Sequence, residues 1–264
     1  MTRILVVGFG AIGEAVLAGL AEFETPVERA VLLRPGSPRA AHLPAGLARV
    51  SDLHEAQEFD PALVVEAAGA GAVRAVAPTF LSRGVPVVVT SAGSLADDGL
   101  LADLLAARRG GARILVPSGA VGGLDYVAAA ARLPGTQVRY ESRKPPAAWA
   151  DVLAARGVDP ASLREPLVLF SGAAREAARL FPQNLNVAAT LALAGIGMDR
   201  TRVEVVVDPA ATGNLHAIRV EGPAGTFEAR LANRPSPQNP KTSAVVASSI
   251  LALIARELSG IRVG

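Results

Sequence analysis

The sequence contains no cysteine and few of the side chains that usually carry proton and metal chemistry. The absence of cysteine excludes disulfides, thiolate nucleophiles and cysteine-ligated zinc or iron–sulfur sites, and we expect no metal site. The chain has two lysines, Lys144 and Lys241, and three histidines, His42, His54 and His216. Proton transfer near neutral pH must therefore use a histidine, a carboxylate or a lysine with a lowered pKa.

Aromatic residues and net charge are also scarce. Aromatic side chains make up 4% of the chain, and the formal net charge is +2. The arginines hold nearly all of the positive charge and are scattered along the sequence. Because nucleic-acid binding needs stacking platforms or a concentrated basic surface, this composition predicts no nucleic-acid partner.

Long apolar runs are absent. The longest, such as Ile250 to Ala255, fall far short of the roughly 20 residues that a membrane-spanning helix needs. Strand-like residues begin at Arg3, which leaves no room for a signal peptide. We therefore expect no membrane association and a cytoplasmic location.

Half of the 264 residues are apolar, which suffices for a sizeable core and excludes a disordered chain. In the first half, strand-like runs alternate with helical patterns. The strands are predicted at Ile4 to Val7, Ala30 to Leu33, Ala62 to Glu66, Val85 to Thr90 and Arg113 to Val116, and the helices after Gly10, at Val73 to Arg83 and at Leu100 to Arg109. This alternation predicts a Rossmann-type, doubly wound parallel sheet, because parallel strands need long crossovers.

The pattern changes after about residue 124. A helix is predicted at Leu124 to Leu133, followed by five strands with two helices among them, and short polar turns favour a mixed sheet. Residues 233–240 are predicted to form a loop, and Thr242 to Leu258 an apolar helix that packs back on the first domain. We therefore expect a dinucleotide-binding domain (1–123), an α/β substrate domain (124–235) and a returning C-terminal helix (236–264).

The strongest local motif is the strand that leads into Gly8-Phe9-Gly10-Ala11-Ile12-Gly13 and then into a helix. Gly8 permits a tight turn, Gly10 lets the backbone approach a pyrophosphate, and Gly13 allows close packing of helix and strand. The helix start at Ala11 and Ile12 offers unpaired N–H groups to the phosphates. This context predicts dinucleotide binding.

Three further positions are candidate cofactor contacts. The second strand ends in Arg34 where an acid usually binds the ribose, and an arginine there can pair with a 2′-phosphate. This favours NADP, or tolerance of both NAD and NADP, unless Arg34 is an exposed residue that touches neither. Ala68 follows another strand at the carboxyl edge of the sheet, where ligands gather. Ala120, in the stretch from Pro117 to Gly123, is predicted to face the cofactor from the floor of a cleft.

Two polar residues of the second half carry candidate roles. Asn184 can cap the helix that follows it, whereas Asn186 is free to bind nicotinamide or substrate. His216 opens a strand after a tight turn, which suits either an acid–base catalyst or a hydrogen-bonded histidine at a strand edge. His42 and His54 lie in polar, surface-like stretches.

Five stretches of the chain resemble the L-aspartate dehydrogenases over nearly its full length. They are the glycine motif, Val64-Val65-Glu66-Ala67-Ala68, Pro117-Ser118-Gly119-Ala120-Val121-Gly122-Gly123, Phe181-Pro182-Gln183-Asn184-Leu185-Asn186-Val187-Ala188-Ala189-Thr190 and Gly213-Asn214-Leu215-His216. The resemblance implies a homodimer that interconverts L-aspartate with oxaloacetate and ammonia through iminoaspartate, using NAD or NADP. It also implies that the imine can feed NAD biosynthesis.

Matching motifs place the catalytic histidine at His216 and cofactor contacts at Ala120 and Asn186. The two carboxylates of such a substrate need cationic or N–H partners. We expect Lys144 and Asn214 to contact the substrate, with Arg143 and Lys241 as further candidate cations. A lysine in a solvated turn is the alternative reading of Lys144.

Three other functions remain open. A dihydrodipicolinate reductase usually shows a His-His and lysine cluster, which is missing from this sequence, and a homoserine dehydrogenase relies on paired lysines, whereas the two lysines here are widely separated. A redox sensor that binds the dinucleotide without catalysis is the third alternative.

Overall fold

The computed structural model describes residues 1–182 and 185–259, except for the side chains of Pro240 and Lys241. These residues form two compact units. Of the described residues, unit 1 contains Met1–Pro117 and 247–259, and unit 2 contains Ser118–Val246. The domain limits given by the sequence remain predictions.

Unit 1 is built on a six-stranded sheet in which all neighbouring strands are parallel. The strands are β1 (Thr2–Val7), β2 (Val27–Leu32), β3 (Ala48–Val50), β4 (Leu63–Glu66), β5 (Val87–Val89) and β6 (Ile114–Leu115). Their order is β3-β2-β1-β4-β5-β6. This order confirms the predicted doubly wound sheet, whose order reverses between β1 and β4.

The helices of unit 1 cross over between these strands. They are α1 (Ala11–Ala21), α2 (Leu53–Glu58), α3 (Ala70–Ser82) and α4 (Asp98–Ala107). Side chains from the sheet and from α3 and α4, among them Leu5, Phe80 and Leu104, share one buried core. β3 and α2 were missing from the sequence-based assignment because both are short and α2 is mostly polar, although Asp52 caps α2 by accepting a hydrogen bond from the Glu55 N–H.

Unit 2 contains a five-stranded mixed sheet. Its strands are β7 (Gln137–Lys144), β8 (Leu167–Ala173), β9 (Arg202–Val207), β10 (Asn214–Gly222) and β11 (Gly225–Asn233), in the order β11-β10-β7-β9-β8. Only β7 and β9 pair in parallel, which confirms the predicted mixed sheet. The helices are α5 (Leu124–Ala130), α6 (Ala150–Ala155), α7 (Ala174–Leu180) and α8 (Asn186–Ala194). Helices α5 and α7 contact the sheet, and α8 packs against both of them.

The stretch predicted as a loop at residues 233–240 contains two short antiparallel strands, β12 (Pro235–Ser236) and β13 (Asn239–Ser243). The three prolines in this stretch masked the strand signal, because proline cannot donate to a ladder and is tolerated only at edges and bulges. The loop assignment was therefore wrong for these residues.

Helix α9 (Val245–Leu258) ends the described chain, and most of it belongs to unit 1. Leu251 packs on α1 at Gly19, where a Cβ would lie 2.2 Å from the Leu251 Cδ1 atom. Glu257 pairs with Arg113. These contacts confirm the predicted return of the C-terminal helix. No helix in the part of the chain that the structure describes is long and apolar enough to span a membrane.

Candidate active site

The glycine motif lies where β1 ends and α1 begins. Gly8 adopts a left-handed conformation with φ of +94°, and a Cβ there would lie 2.7 Å from the Ala68 Cβ. A Cβ on Gly13 would lie 2.2 Å from the carbonyl oxygen of Gly8. Gly8 and Gly13 are therefore needed for the turn and for the packing of helix on strand.

Gly10 differs from both, because no atom of the described residues beyond its own chain neighbours lies within 4 Å of the position its Cβ would take. The first main-chain hydrogen bond of α1 runs from the Glu14 N–H to the Gly10 carbonyl oxygen over 2.9 Å. The N–H groups of Ala11, Ile12 and Gly13 precede that bond and have no carbonyl partner within the helix. Open space beside Gly10 and unpaired N–H groups next to it fit a phosphate of a dinucleotide.

A cavity of about 750 Å³ lies at this edge of the sheet. It is lined by the predicted cofactor residues Gly8, Gly10, Arg34 and Ala68, and also by Ser37 and Arg39. Ala11, Ile12 and Gly13 do not line it, because they form the first turn of α1.

The side of this cavity near the end of β2 carries positive charge. Arg34 follows the strand, and the short 3-10 turn that begins at Pro38 brings Arg39 to the same cavity. Both arginines are exposed, and within residues 1–182 and 185–259 neither forms an ion pair. Arg39 was missed because only the turn geometry places it at the cavity that Arg34 also lines.

Glu66 connects two loops at the carboxyl edge of the sheet. Its buried carboxylate accepts hydrogen bonds from the N–H groups of Ala68 and Gly69, at 2.8 and 2.7 Å. It also accepts from the Ser91 N–H at 3.1 Å and from the Ser91 hydroxyl at 3.0 Å. Glu66 therefore fixes Ala68, which packs against Gly8, relative to the loop that follows β5.

In unit 2, His216 and Tyr140 form a buried pair. His216 lies on β10 and is 5% exposed, and Tyr140 lies on β7 and is 2% exposed. The Tyr140 hydroxyl is 2.7 Å from the Nδ1 atom of His216. The Nε2 atom of His216 is buried and has no hydrogen-bond partner among the described residues. The contact at Nδ1 thus fixes the orientation of the ring, and with it the position of Nε2.

Lys144 lies on the same face of β7 as Tyr140, because the two residues are four positions apart in a strand. It is 3% exposed, so the solvated-turn alternative was wrong. Burial, together with the nearby charge of Lys144, lowers the pKa of His216 to about 4. His216 is therefore neutral at pH 7 and able to accept a proton at Nε2 or donate one there, depending on its tautomer.

Arg143 points to the opposite face of β7 from Lys144. It binds Glu141 and Asp208, each over 2.9 Å. These two carboxylates raise the pKa of Arg143, and the Arg143 guanidinium holds the pKa of Asp208 below its usual value. Arg143 was a candidate partner for substrate carboxylates, but its guanidinium already forms ion pairs with two carboxylates of the protein.

Other predicted site residues of unit 2 have structural contacts. The Asn214 side-chain nitrogen donates to the Ser243 hydroxyl over 3.2 Å and ties β10 to β13. The carbonyl oxygen of Ala120 accepts a hydrogen bond from the Asn233 side chain at 2.7 Å. Asn186 is the first residue of α8.

The structure does not describe two of the predicted residues. Asn184, the expected helix cap, and the side chain of Lys241 both lie outside the described residues. Among residues 1–182 and 185–259, no three His, Asp or Glu side chains are grouped in a way that would hold a metal ion.

Comparison with known proteins gives two family matches and several full-length relatives. Residues 125–257 match the family described as aspartate dehydrogenase, C-terminal. Residues 8–117 match the homoserine dehydrogenase NAD binding domain. L-aspartate dehydrogenase 2 of Bordetella pertussis is 52% identical over 264 residues, which is 99% of both chains. The chain belongs to the aspartate dehydrogenase family.

Two more members of the aspartate dehydrogenase family support this. The L-aspartate dehydrogenase of Ruegeria pomeroyi is 42% identical and covers 98% of this chain and 94% of its own. The crystal structure of aspartate dehydrogenase from Thermotoga maritima superposes with a TM-score of 0.78 at 28% identity, and both chains are fully covered. The match to the NAD-binding family confirms the predicted nicotinamide-dinucleotide unit, and the aspartate dehydrogenase match spans both His216 and Lys144.

Proposed function

We propose that this chain is an NAD(P)-dependent L-aspartate dehydrogenase that forms oxaloacetate and ammonia through iminoaspartate. One observation carries the proposal. In the unit that matches the aspartate dehydrogenase C-terminal family, a buried neutral histidine with an unpartnered Nε2 shares its surroundings with a buried lysine. This pair supplies a base and a cation for an acidic amino acid.

The reaction consumes L-aspartate, water and the oxidised dinucleotide. Bound NAD(P)⁺ supplies the hydride acceptor. The Cα–H bond of aspartate breaks with its electron pair, and the C=N bond of iminoaspartate forms. Water then adds to the imine carbon, and ammonia leaves as the carbonyl of oxaloacetate forms. The amine must lose a proton before the first step, and the water must lose one in the second.

His216 takes these protons at Nε2 in our proposal. A pKa near 4 keeps the imidazole neutral at pH 7, so Nε2 has an available lone pair when the ring proton is on Nδ1. The low pKa also makes His216 a weak base that passes the proton on readily. Both steps need a base at one position, because the amine nitrogen and the attacked carbon are bonded neighbours.

Lys144 binds a substrate carboxylate in this proposal. Its ammonium group is buried, and a charge-assisted hydrogen bond to a carboxylate is strong in such surroundings. Because the Asn214 amide nitrogen already bonds Ser243, we assign its substrate contact to the amide oxygen, which accepts from the amino group.

The cofactor contacts are proposals of the same kind. We place the pyrophosphate at Gly10, with the N–H groups of Ala11, Ile12 and Gly13 as donors and Gly8 and Ala68 shaping the turn. Ala120 and Asn186 remain proposed contacts to the nicotinamide end. Arg34 and Arg39, which form no ion pair within the part of the chain that the structure describes, favour binding of a 2′-phosphate, so we expect NADP to bind at least as well as NAD. The resemblance extends the proposal to supply of iminoaspartate for NAD biosynthesis.

The test follows absorbance at 340 nm with NADPH or NADH, oxaloacetate and ammonia. We expect turnover in this mixture and none with aspartate semialdehyde or dihydrodipicolinate. Turnover with aspartate semialdehyde alone would support the homoserine dehydrogenase alternative. Binding of NADPH without turnover of any of these substrates would support a sensor. The variant His216→Ala is the control, since it should bind NADPH normally and lose about 100-fold or more in kcat.

We also propose that two copies of the chain associate through the outer face of the unit 2 sheet, the face that carries Leu215 and Ala217. Two concavities of about 320 and 390 Å³ lie on this face. Arginines and glutamates alternate across it, including Arg139, Glu228 and Arg230. Such mixed charge allows the same patch to pair with itself about a two-fold axis.

Light scattering tests the homodimer. We expect a mass twice the 26.9 kDa of the chain. The variant Ala217→Arg, which places a large charge at both concavities, should shift the mass toward the monomer. The control Ala129→Arg adds the same charge at an exposed position of α5 and should not. A wild-type monomer at micromolar concentration would contradict the proposal.

A further inference from the structure

The Tyr140–His216 contact restricts how the histidine can work. Tyr140 is fully enclosed, and its hydroxyl approaches Nδ1 to 2.7 Å while the two rings lie nearly parallel, 12° apart in plane and 6.0 Å between centroids. Burial raises the pKa of Tyr140 well above its usual value, so the phenol keeps its proton at neutral pH.

Two proton arrangements satisfy this hydrogen bond. If the phenol donates to Nδ1, the proton of the neutral imidazole is on Nε2, which cannot then accept another. If Nδ1–H donates to the phenol oxygen, Nε2 carries a free lone pair. Only the second arrangement makes Nε2 a base. In that arrangement the Nδ1–H bond also persists after Nε2 is protonated, so it stabilises the imidazolium.

We propose that Tyr140 is a positioning residue that holds His216 in its Nδ1–H tautomer. The inference rests on the proposed role of His216 as the base, and it adds the group that makes that role possible. The phenol then needs an acceptor for its own hydrogen. The buried hydroxyl oxygen of Ser142, on the same face of β7, has no hydrogen-bond partner among the described residues and is close enough to act on the Tyr140 pKa, so we assign it as that acceptor.

The charged groups around His216 support this assignment. Lys144 is the neighbour whose charge acts on the imidazole, and it disfavours the imidazolium. The inward side chains of β10 and β11 near His216, including Ile218 and Leu231, are uncharged. Helix α5 packs against β10. Its Asp125 is exposed, and its Tyr126 stacks on Phe227 with 4.8 Å between the ring centroids. Among the described residues that pack here, no carboxylate replaces Tyr140 as the partner of Nδ1.

The first measurement needs no variant. The chain has three histidines, so ¹⁵N-histidine labelling gives three ring-nitrogen pairs, of which only His216 is buried. At pH 7 we expect the His216 Nδ1 signal of a protonated nitrogen and the Nε2 signal of an unprotonated one. A protonated Nε2 in the free protein would overturn the proposal, whether or not the chain turns over aspartate.

The variant Tyr140→Phe removes the hydroxyl and keeps the ring. We expect a mixture of His216 tautomers, a kcat lowered about tenfold or more, and KM and NADPH affinity changed less than about twofold. The acid limb of the kcat/KM profile should also move, because the imidazolium loses its acceptor. Tyr126→Phe, at the only other tyrosine, is the matched control and should change none of these. A Tyr140→Phe protein with wild-type kcat and one fixed tautomer would refute the inference.

Discussion

The ammonium nitrogen of Lys144 lies 5.7 Å from the centroid of the Trp149 indole ring. The aromatic face partly compensates the buried cation for the water it has lost. A lysine held in this way, close enough to His216 to lower the histidine pKa, is a fixed positive charge beside the proposed base.

Replacing Lys144 by methionine therefore has two expected effects. The KM for oxaloacetate should rise about 10- to 100-fold, the scale of a lost charge-assisted hydrogen bond. The pKa of His216 should rise, because a neighbouring positive charge is removed. Steady-state kinetics and histidine NMR measure the two effects, with NADPH binding as the check on folding.

Arg143→Met is the matched control for Lys144→Met. It also removes one positive charge from β7, but from the opposite face, where Arg143 pairs with Glu141 and Asp208. It should leave the His216 pKa and the KM near wild type. If Lys144→Met binds oxaloacetate as well as the control does, the substrate carboxylates are held by other groups.

His216 should also make the stability of the protein depend on pH. Its pKa is about 4 when folded and 6.5 as the ordinary value, so the unfolded chain binds the extra proton first. The contribution is fully present above pH 6.5 and is lost as the pH falls toward 4, by up to roughly 3 kcal/mol. Urea unfolding of the wild type and of His216→Gln between pH 4 and 7 measures the difference. Parallel curves for the two proteins would show that His216 does not titrate in this way.

Substitution of two glycines in the nucleotide turn should have different effects: one should weaken NADPH binding, and the other should lower the stability of the fold. Gly10→Ala places a methyl group in open space, so the melting temperature should be unchanged while NADPH binding weakens about tenfold or more. Gly13→Ala forces a Cβ against the Gly8 carbonyl oxygen and should destabilise the fold by about 1–3 kcal/mol. Calorimetry and NADPH fluorescence measure both properties. Unweakened NADPH binding in Gly10→Ala would place the pyrophosphate elsewhere.

Arg34 and Arg39 should set the preference between the two cofactors. Each change to alanine should weaken NADPH binding about tenfold and leave NADH binding unaltered, since only NADPH carries the 2′-phosphate. Arg3→Ala is the control, because it removes the same charge from unit 1 at a residue paired with Asp60 over 2.5 Å. If the two variants lose affinity for NADH and NADPH equally, the arginines have only a general electrostatic effect.

Much of unit 1 could be predicted because its signals are local. Apolar strands such as Ile4 to Val7 lead directly into glycines or helical patterns, and this alternation identifies a parallel sheet. β3 was not recognised, because three residues with an arginine at the centre carry no periodicity. Its place beside β2 depends on tertiary pairing.

The site in unit 2 was predicted only in part. The resemblance placed the catalytic role at His216, but its contact with Tyr140 joins residues 76 positions apart and depends on the register of β7 against β10. The alternation along β7 did contain a usable signal, since it puts Tyr140 and Lys144 on one face and Arg143 on the other. Lys144 is buried because it lies on one particular face of the sheet, and the sequence of the strand alone does not predict which face the helices cover.

Helix α9 makes the nucleotide-binding unit discontinuous in sequence, and this affects how the protein is made. When the first 117 residues have left the ribosome, the surface of α1 at Gly19 still lacks Leu251, and Arg113 still lacks Glu257. Unit 1 is therefore completed only after all of unit 2 has been translated. Premature termination between Pro117 and Leu251 removes part of the packing of the dinucleotide-binding unit, although every residue of its sheet and glycine turn has been synthesised.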